Sequence, residues 1–174
     1  MEDVKLLDAG PEGTVLFEIL TDEKYGNING VMHGGAAGVI FDMCTTMALA
    51  PLSKPGYWLY AEFHSLALPR DLAYAYSFLG GVTRILNIAY LRAVPVGTTI
   101  RIRSWVTQVG RTMAMIRSEM TSVDGKTIFA TCEHHKVNVP TRPEHIDARL
   151  PWDDEQEKEL QEEMERKAKR EVKL

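Results

Sequence analysis

The sequence predicts an α+β fold, a curved antiparallel sheet wrapped around one long central helix, on three observations. The run from Ala36 to Leu49 has the length and composition of a helix buried on nearly every side. After Gly81, segments of strand-like polarity follow one another between short turns, as antiparallel strands do. There is only one such apolar helix, so a sheet must supply the surface that buries it.

The elements follow in order. Thr14 to Leu20 reads as a strand, preceded by the turn-like Gly10-Pro11-Glu12-Gly13. Thr21 to Met32 is a loop rich in Asn and Gly, and the apolar helix after it stops at Pro51. Residues 52–81 form an irregular insert holding half of the aromatic residues, with a short helix expected over Asp71 to Leu79. Four strands are then expected as a meander: Val82 to Leu91, Thr98 to Val109, Thr112 to Ser122 and Lys126 to Val139. Pro95-Val96-Gly97, Gly110-Arg111 and Asp124-Gly125 separate them, the last a strong hairpin signal. Ile100, Ile102, Ser104 and Val106 alternate with Arg101, Arg103, Trp105 and Thr107, which predicts one buried and one partly solvated face. Asp153 to Leu174 reads as a charged helix, acidic at its start and basic at its end, as the helix dipole favours. The expected organisation is one domain over residues 1–140, then a linker and charged helix over 141–174.

Composition narrows the function classes. A net charge of −4 argues against a nucleic-acid partner. Cys44 and Cys132 lie in apolar or strand-like stretches and read as reduced, buried thiols. Neither a signal peptide nor an Arg- and Ser-rich transit segment is evident, so the expected location is intracellular, the cytoplasm ahead of the mitochondrion. Gly34 to Leu52 nears the ~20 residues of a membrane span but carries Asp42 at its centre, so no span is expected. His64, His134, His135 and His145 show no metal-ligand spacing, and no metal is expected.

Asp42 is the residue that points to chemistry. It is the only formally charged residue between Tyr25 and Ser53, in the middle of the apolar run. An unpartnered buried carboxylate costs several kcal/mol (order of magnitude), which a purely structural helix would avoid. A structural ion pair with Arg84 or Arg92 is the competing reading. Upstream lies His33-Gly34-Gly35, where two glycines leave bare amides at the positive end of the helix. Gly35, Gly38, Asp42, Thr45 and Thr46 share one helix face, a stripe of small and polar groups with room beside the carboxylate. An oxyanion-binding helix mouth with a carboxylate further in suits reaction at a carbonyl.

The pattern Asn27-x5-His33-Gly34-Gly35-x6-Asp42, followed by Thr45-Thr46-Met47-Ala48, resembles the active-site helix of hotdog-fold acyl-CoA thioesterases. More narrowly it is similar to the 4-hydroxybenzoyl-CoA thioesterase superfamily, in its phenylacetate-degradation-type branch. The likeness continues through Gly81 to Arg92, Val96-Gly97-Thr98 and Val109-Gly110-Arg111, and covers about Val15 to Val139. It implies a hotdog fold and hydrolysis of an acyl-CoA, with no cofactor, since coenzyme A is part of the substrate. By position, Asp42 matches the catalytic carboxylate, general base or nucleophile, and Gly34 the amide that polarises the thioester carbonyl. Asn27 matches a loop residue holding the carbonyl or the water, Thr83 the hydroxyl that orients the nucleophile, and His33 a positioning residue. Gly35 and Thr46 would border the substrate, and Gly110 and Arg111 would lie near bound coenzyme A. The resemblance further implies a homodimer or dimer of dimers, with Asn27 and Gly34 of one subunit facing Asp42 and Thr83 of the other. A non-catalytic acyl-CoA sensor on the same fold is the alternative, and a hotdog dehydratase is disfavoured because no His occupies the position of Asp42.

Overall fold

The computed structural model describes residues 4–53, 58 and 80–139. These lie within one compact unit, Met1–Val139. The charged helix expected near the C-terminus and the short helix over Asp71 to Leu79 fall outside the described residues. Six antiparallel strands form one sheet: β1 (Val4–Gly10), β2 (Thr14–Leu20), β3 (Val82–Tyr90), β4 (Thr99–Val109), β5 (Met113–Ser122) and β6 (Ile128–Val137). Their spatial order is β1-β2-β4-β5-β6-β3. Helix α1 (Gly34–Leu49) lies on the inner face, chiefly against β4, β2 and β5.

Residues of one parity on each strand build the core. Val15, Phe17 and Ile19 of β2, Ile100 and Ile102 of β4, Ile116 and Met120 of β5 meet Ile40, Phe41, Ala48 and Leu49 of the helix. Burying each of the large side chains contributes about 1.5–3 kcal/mol. Ser104, Ser118 and Cys132 are neighbours on this inner face, and all three are buried. The serine hydroxyls bond each other at 2.9 Å, so small polar residues sit in the core without stranded donors. The predicted alternation along β4 is observed as far as Ser104, beyond which a bulge at Thr107 shifts the register.

The topology differs from the expected meander in two ways. The N-terminal segment Val4–Gly10 is a strand, paired with β2. Its alternation is weak because an edge strand faces water along much of its length, so periodicity did not reveal it. Strand β3 does not pair with β4; it lies at the far edge, antiparallel to β6. Residues 91–98 cross the end of the sheet instead of turning tightly. Leu91 and Arg92 amides donate to the Phe129 carbonyl, Met32 N–H to Val94, Val96 N–H to Gly30 and Gly97 N–H to Thr21. Local turn residues cannot distinguish such a crossover from a hairpin, because its partners are distant in sequence.

A second difference concerns the helix. The expectation was burial nearly all round, but one sheet covers only one side. Val39, Met43 and Met47, spaced four apart, are 59%, 41% and 50% exposed. Strand β3 beside them is exposed along most of its length. Among the described residues nothing covers this stripe. The segment Gly34–Leu52 is long and apolar enough by composition to cross a membrane. Here its buried residues form the sheet's core.

Thr21 pins the crossover. It is fully buried, and its hydroxyl contacts the Thr98 carbonyl at 2.8 Å and the Pro95 carbonyl at 3.0 Å while accepting from the Thr98 amide at 3.2 Å. Thr21→Val keeps the shape and removes these bonds. It is expected to destabilise the fold by about 1–3 kcal/mol in urea unfolding, with an unchanged slope. A midpoint equal to wild type would show that the crossover is held without this hydroxyl.

Candidate active site

The helix mouth is built first. A tight ribbon, Tyr25 to His33, closes through the Gly26–Met32 bridge, and the His33 amide donates to the Tyr25 carbonyl at 2.7 Å. At its tip the Asn29 amide donates to Asn27 Oδ1 at 2.8 Å, and Gly30 takes φ +71°, a left-handed conformation that glycine tolerates. This Asx turn holds the Asn27 amide group by its oxygen, leaving Nδ2 without a partner among the described residues. His33 caps the helix, its Nδ1 accepting from the Gly35 amide at 3.0 Å. The Gly34 amide therefore has no partner among the described residues. Tyr90 anchors the same residue from β3, its hydroxyl donating to the Gly34 carbonyl at 2.7 Å. A cleft of about 390 Å³ opens here, lined among others by Gly34, Ala37, Tyr90, Arg92 and Met120.

Asp42 sits two turns further along. Thr83 donates to its Oδ1 at 2.6 Å, and His134 Nε2 approaches the same oxygen at 3.3 Å. A bulge at Arg84 makes this geometry. Thr83 pairs with Lys136 and Leu86 with His134, so the extra residue puts Thr83 on the inner face with Leu86 and Ile88. Without it Thr83 would share the outer face of Ile85. His134 is fully buried and held at both ring nitrogens, Nδ1 at 2.6 Å from Thr45 Oγ1 and Nε2 at 3.0 Å from Thr83 Oγ1. Lys136, also buried, donates to Thr46 Oγ1 at 2.9 Å, and Thr46 donates to the Asp42 carbonyl at 2.6 Å.

Burial sets the charges of the two bases. It pushes His134 down to about 4, aided by the Lys136 charge and opposed by Asp42. The 3.3 Å approach is therefore not an ion pair at neutral pH. Burial also lowers Lys136, and the Asp42 carboxylate works against that. Both cysteines are pushed up to about 12, again chiefly by burial, and are unreactive thiols at neutral pH.

The residues expected from sequence thus fall into two clusters. Asn27, His33, Gly34 and Gly35 stand at the helix mouth, Asp42, Thr83 and Thr46 around the carboxylate. At 1.5 Å per residue, the eight residues from Gly34 to Asp42 put about 12 Å between the clusters in one chain. Thr45 is buried and Thr46 half-buried, and both hydroxyls are engaged by β6. Gly35 is exposed, and its amide is taken by His33. Asp42 pairs with neither Arg84 nor Arg92 among the described residues. Gly110 and Arg111 form the β4–β5 turn, at the sheet end where Thr83 and Lys136 also lie. The Gly110 carbonyl accepts from Trp58 Nε1 at 3.0 Å. Buried Trp58 fills the space beside Gly81, where a Cβ would come within 2.5 Å of its ring. The rest of the aromatic insert falls outside the described residues. Sequence reasoning missed His134, Lys136 and Tyr90. The signal for the first two was present: Cys132, His134 and Lys136 share the parity of the buried Ala130, so two polar residues were bound to face the helix.

Comparison with known proteins gives a consistent picture. The Thioesterase superfamily model matches residues 29–129. Mouse acyl-coenzyme A thioesterase 13 is 24% identical over 136 residues, covering 78% of this chain and 80% of that protein. The crystal structure of zebrafish thioesterase superfamily member 2 superimposes with a TM-score of 0.60 at 28% identity, covering 79% and 82% of the two chains. A hypothetical thioesterase from Streptococcus pneumoniae, solved with coenzyme A, shares the fold at a TM-score of 0.61 and 18% identity, covering 82% and 90%.

His134 allows the carboxylate cluster to be tested without any substrate. Its folded value lies near 4, against an ordinary 6.5, so between these values the unfolded chain binds more protons than the folded one. Stability therefore falls as pH drops from about 6.5 towards 4. At 1.36 kcal/mol per unit the loss from this group is at most on the order of 3 kcal/mol. In urea titrations, wild type should lose more stability between pH 7 and pH 4 than His134→Gln, which has no titrating group there. Parallel profiles for the two proteins would show that His134 is not buried in its neutral form.

Proposed function

The chain belongs to the thioesterase superfamily, and from that premise we propose that it hydrolyses a coenzyme-A thioester to a free acid and coenzyme A. The observation that carries this reading is Asp42: a part-exposed carboxylate, held by a threonine hydroxyl, on a helix whose first amide has no partner among the described residues. The relatives named as acyl-coenzyme A thioesterases support the substrate class.

In this reading Asp42 acts as general base on water or as nucleophile. Thr83 orients it through the 2.6 Å bond. Charge that develops on the thioester oxygen meets the Gly34 N–H at the positive helix end, and removing one such donor typically costs ~10²–10³ in rate. Asn27 Nδ2 supplies a second donor, and His33 shapes the mouth by capping Gly35. Arg111, exposed on the β4–β5 turn, and its neighbour Gly110 would border coenzyme A.

The complete site takes two chains. A base and an amide about 12 Å apart along one helix cannot both reach one carbonyl carbon. A second helix running the opposite way and centred near Gly38 would bring the Gly34 of one chain beside the Asp42 of the other, with Val39 and Met43 against the start of the partner helix and Met47 towards the ribbon before it. The same pairing covers an exposed apolar stripe and the β3 edge, which supports a homodimer as the unit of activity.

Thiol release from a panel of acyl-CoAs, from acetyl through palmitoyl and phenylacetyl, tests the reading. Wild type should turn over at least one member, and Asp42→Asn should lower kcat by ~10² or more. Release by neither protein, with acyl-CoA still bound, would favour a non-catalytic sensor. The shared site has its own test. Asn27→Ala and Asp42→Asn, each impaired alone, should recover roughly a quarter of wild-type activity when mixed and allowed to exchange subunits, because half of the dimers then carry one intact site. No recovery on demonstrated exchange would place both residues in one chain's site.

A further inference from the structure

Among the described residues, strand β3 makes polar contact with the helix at two points, and only one of them, Thr83 on Asp42, enters the mechanism proposed above. The other is Tyr90. Past the bulge, Leu86, Ile88 and Tyr90 pair with His134, Cys132 and Ala130, so all three share the inner face with Thr83. The row has a hydroxyl at each end. Thr83 donates to Asp42 Oδ1 at 2.6 Å and Tyr90 to the Gly34 carbonyl at 2.7 Å. Leu86 and Ile88 between them pack against the core.

Gly34 stands between two peptide units, which carry four polar groups. The His33 carbonyl accepts from the Ala37 amide at 3.2 Å. The Gly34 carbonyl accepts from Tyr90, and the Gly35 amide donates to His33 Nδ1 at 3.0 Å. Side chains therefore hold the Gly34–Gly35 peptide at both ends. Only the fourth group, the Gly34 N–H, has no partner among the described residues. The glycines let this clamp close. A Cβ at Gly35 would lie 3.0 Å from His33 Nδ1, and one at Gly34 would lie 3.4 Å from the Tyr90 oxygen. They also make a clamp necessary. Adjacent glycines have the widest backbone freedom, and these two stand in the first turn, where a helix frays.

We propose that Tyr90 is a positioning residue for the oxyanion donor: with His33 it fixes the Gly34–Gly35 peptide, and so holds the Gly34 N–H in the direction that the thioester oxygen requires. The inference rests on the reading of Gly34 as that donor. Such a donor acts within about 2.7–3.1 Å of the place the oxyanion will occupy, and a shift of ~1 Å can cost ~10² in rate. Tyr90 works through Gly34, since its single proton is committed to a carbonyl, which only accepts. Strand β3 then sets both halves of the chemistry from its two ends. In the shared site those ends belong to different chains: the Thr83 end of one β3 holds the base, and the Tyr90 end of the other holds the donor.

Tyr90→Phe removes the hydroxyl and keeps the ring. In the unliganded variant, hydrogen exchange at the Gly35 amide should speed up by ~10-fold or more, with the core amides of β5 unchanged. An unchanged Gly35 rate would overturn the clamp whether or not any thioester is hydrolysed. In turnover with a productive acyl-CoA, the variant should lose roughly 10-fold in kcat with KM within about twofold. A role in stability alone would lower the melting temperature and leave kcat unchanged, and a ground-state contact to substrate would raise KM instead; either result sinks the inference. Subunit mixing locates the defect. Tyr90→Phe exchanged with Asp42→Asn should rise to roughly a quarter of wild-type activity, because half of the dimers then carry one site with an intact base and an intact donor. Tyr90→Phe exchanged with Asn27→Ala should not rise above Tyr90→Phe alone, because both defects lie in the donor half. The reverse pattern would put Tyr90 with the base and overturn its assignment to Gly34. Absence of wild-type turnover would remove the hydrolytic reading and the catalytic role with it, and exchange at Gly35 would still decide whether the clamp exists.

Discussion

A carboxylate on an apolar helix has to be satisfied, and most of the distinctive geometry here serves that constraint. The helix offers Asp42 no charged neighbour, so the partners come from strands. Strand β6 supplies His134 and Lys136 on its inner face, and β3 supplies Thr83 only because a bulge re-aims it. Strand β3 can meet β6 only by lying at the far edge of the sheet, which needs the crossover at residues 91–98. That crossover is in turn tied to the ribbon that precedes the helix mouth. The same connection thus positions both candidate clusters.

The second constraint is coverage. A helix apolar on nearly every side needs two surfaces, and one curved sheet provides one. The uncovered stripe and the exposed β3 edge are consequences of that shortfall, and the separation of Gly34 from Asp42 is a third gap, set by helix rise. A second copy meets all three at once, which is why the proposed site and the proposed dimer stand or fall together. The proposed arrangement, with the base of one chain against the oxyanion donor of another, would also couple activity to assembly without any further device.

Much of this was legible in the sequence. The helix, its mouth and five of the six strands followed from periodicity and punctuation, because they depend on neighbours in the chain. Asp42 announced itself as a lone charge in an apolar run. The exceptions are all non-local. The pairing of β3 with β6 depends on residues about fifty apart, and hairpin logic cannot see it. The edge strand β1 is half solvated and lacks alternation. The roles of His134 and Lys136 needed the parity of β6 set against the helix, which a search for metal-like spacing passed over. Thr83 was found by likeness to a family and not by physics, since its inward aim comes from a one-residue bulge that the sequence does not mark.

The way β6 grips the helix bears on what the site is built to do. His134 and Lys136 are two residues apart on one strand face, and they reach Thr45 and Thr46, the residues three and four beyond Asp42. The hydroxyls of those threonines bond back to the Phe41 and Asp42 carbonyls, so the turn that bears the carboxylate is tied to the sheet twice. Burying an imidazole and an ammonium beside a core is costly, and apolar residues would have packed there more cheaply. The gain is a fixed orientation. With its backbone held through Thr46 and its Oδ1 held through Thr83, Asp42 presents its carboxylate in one position before any substrate arrives. For the proposed hydrolysis, reorganisation that would otherwise fall within the reaction would then be complete on folding, which is the condition under which an aligned base and an aligned oxyanion donor give their full effect.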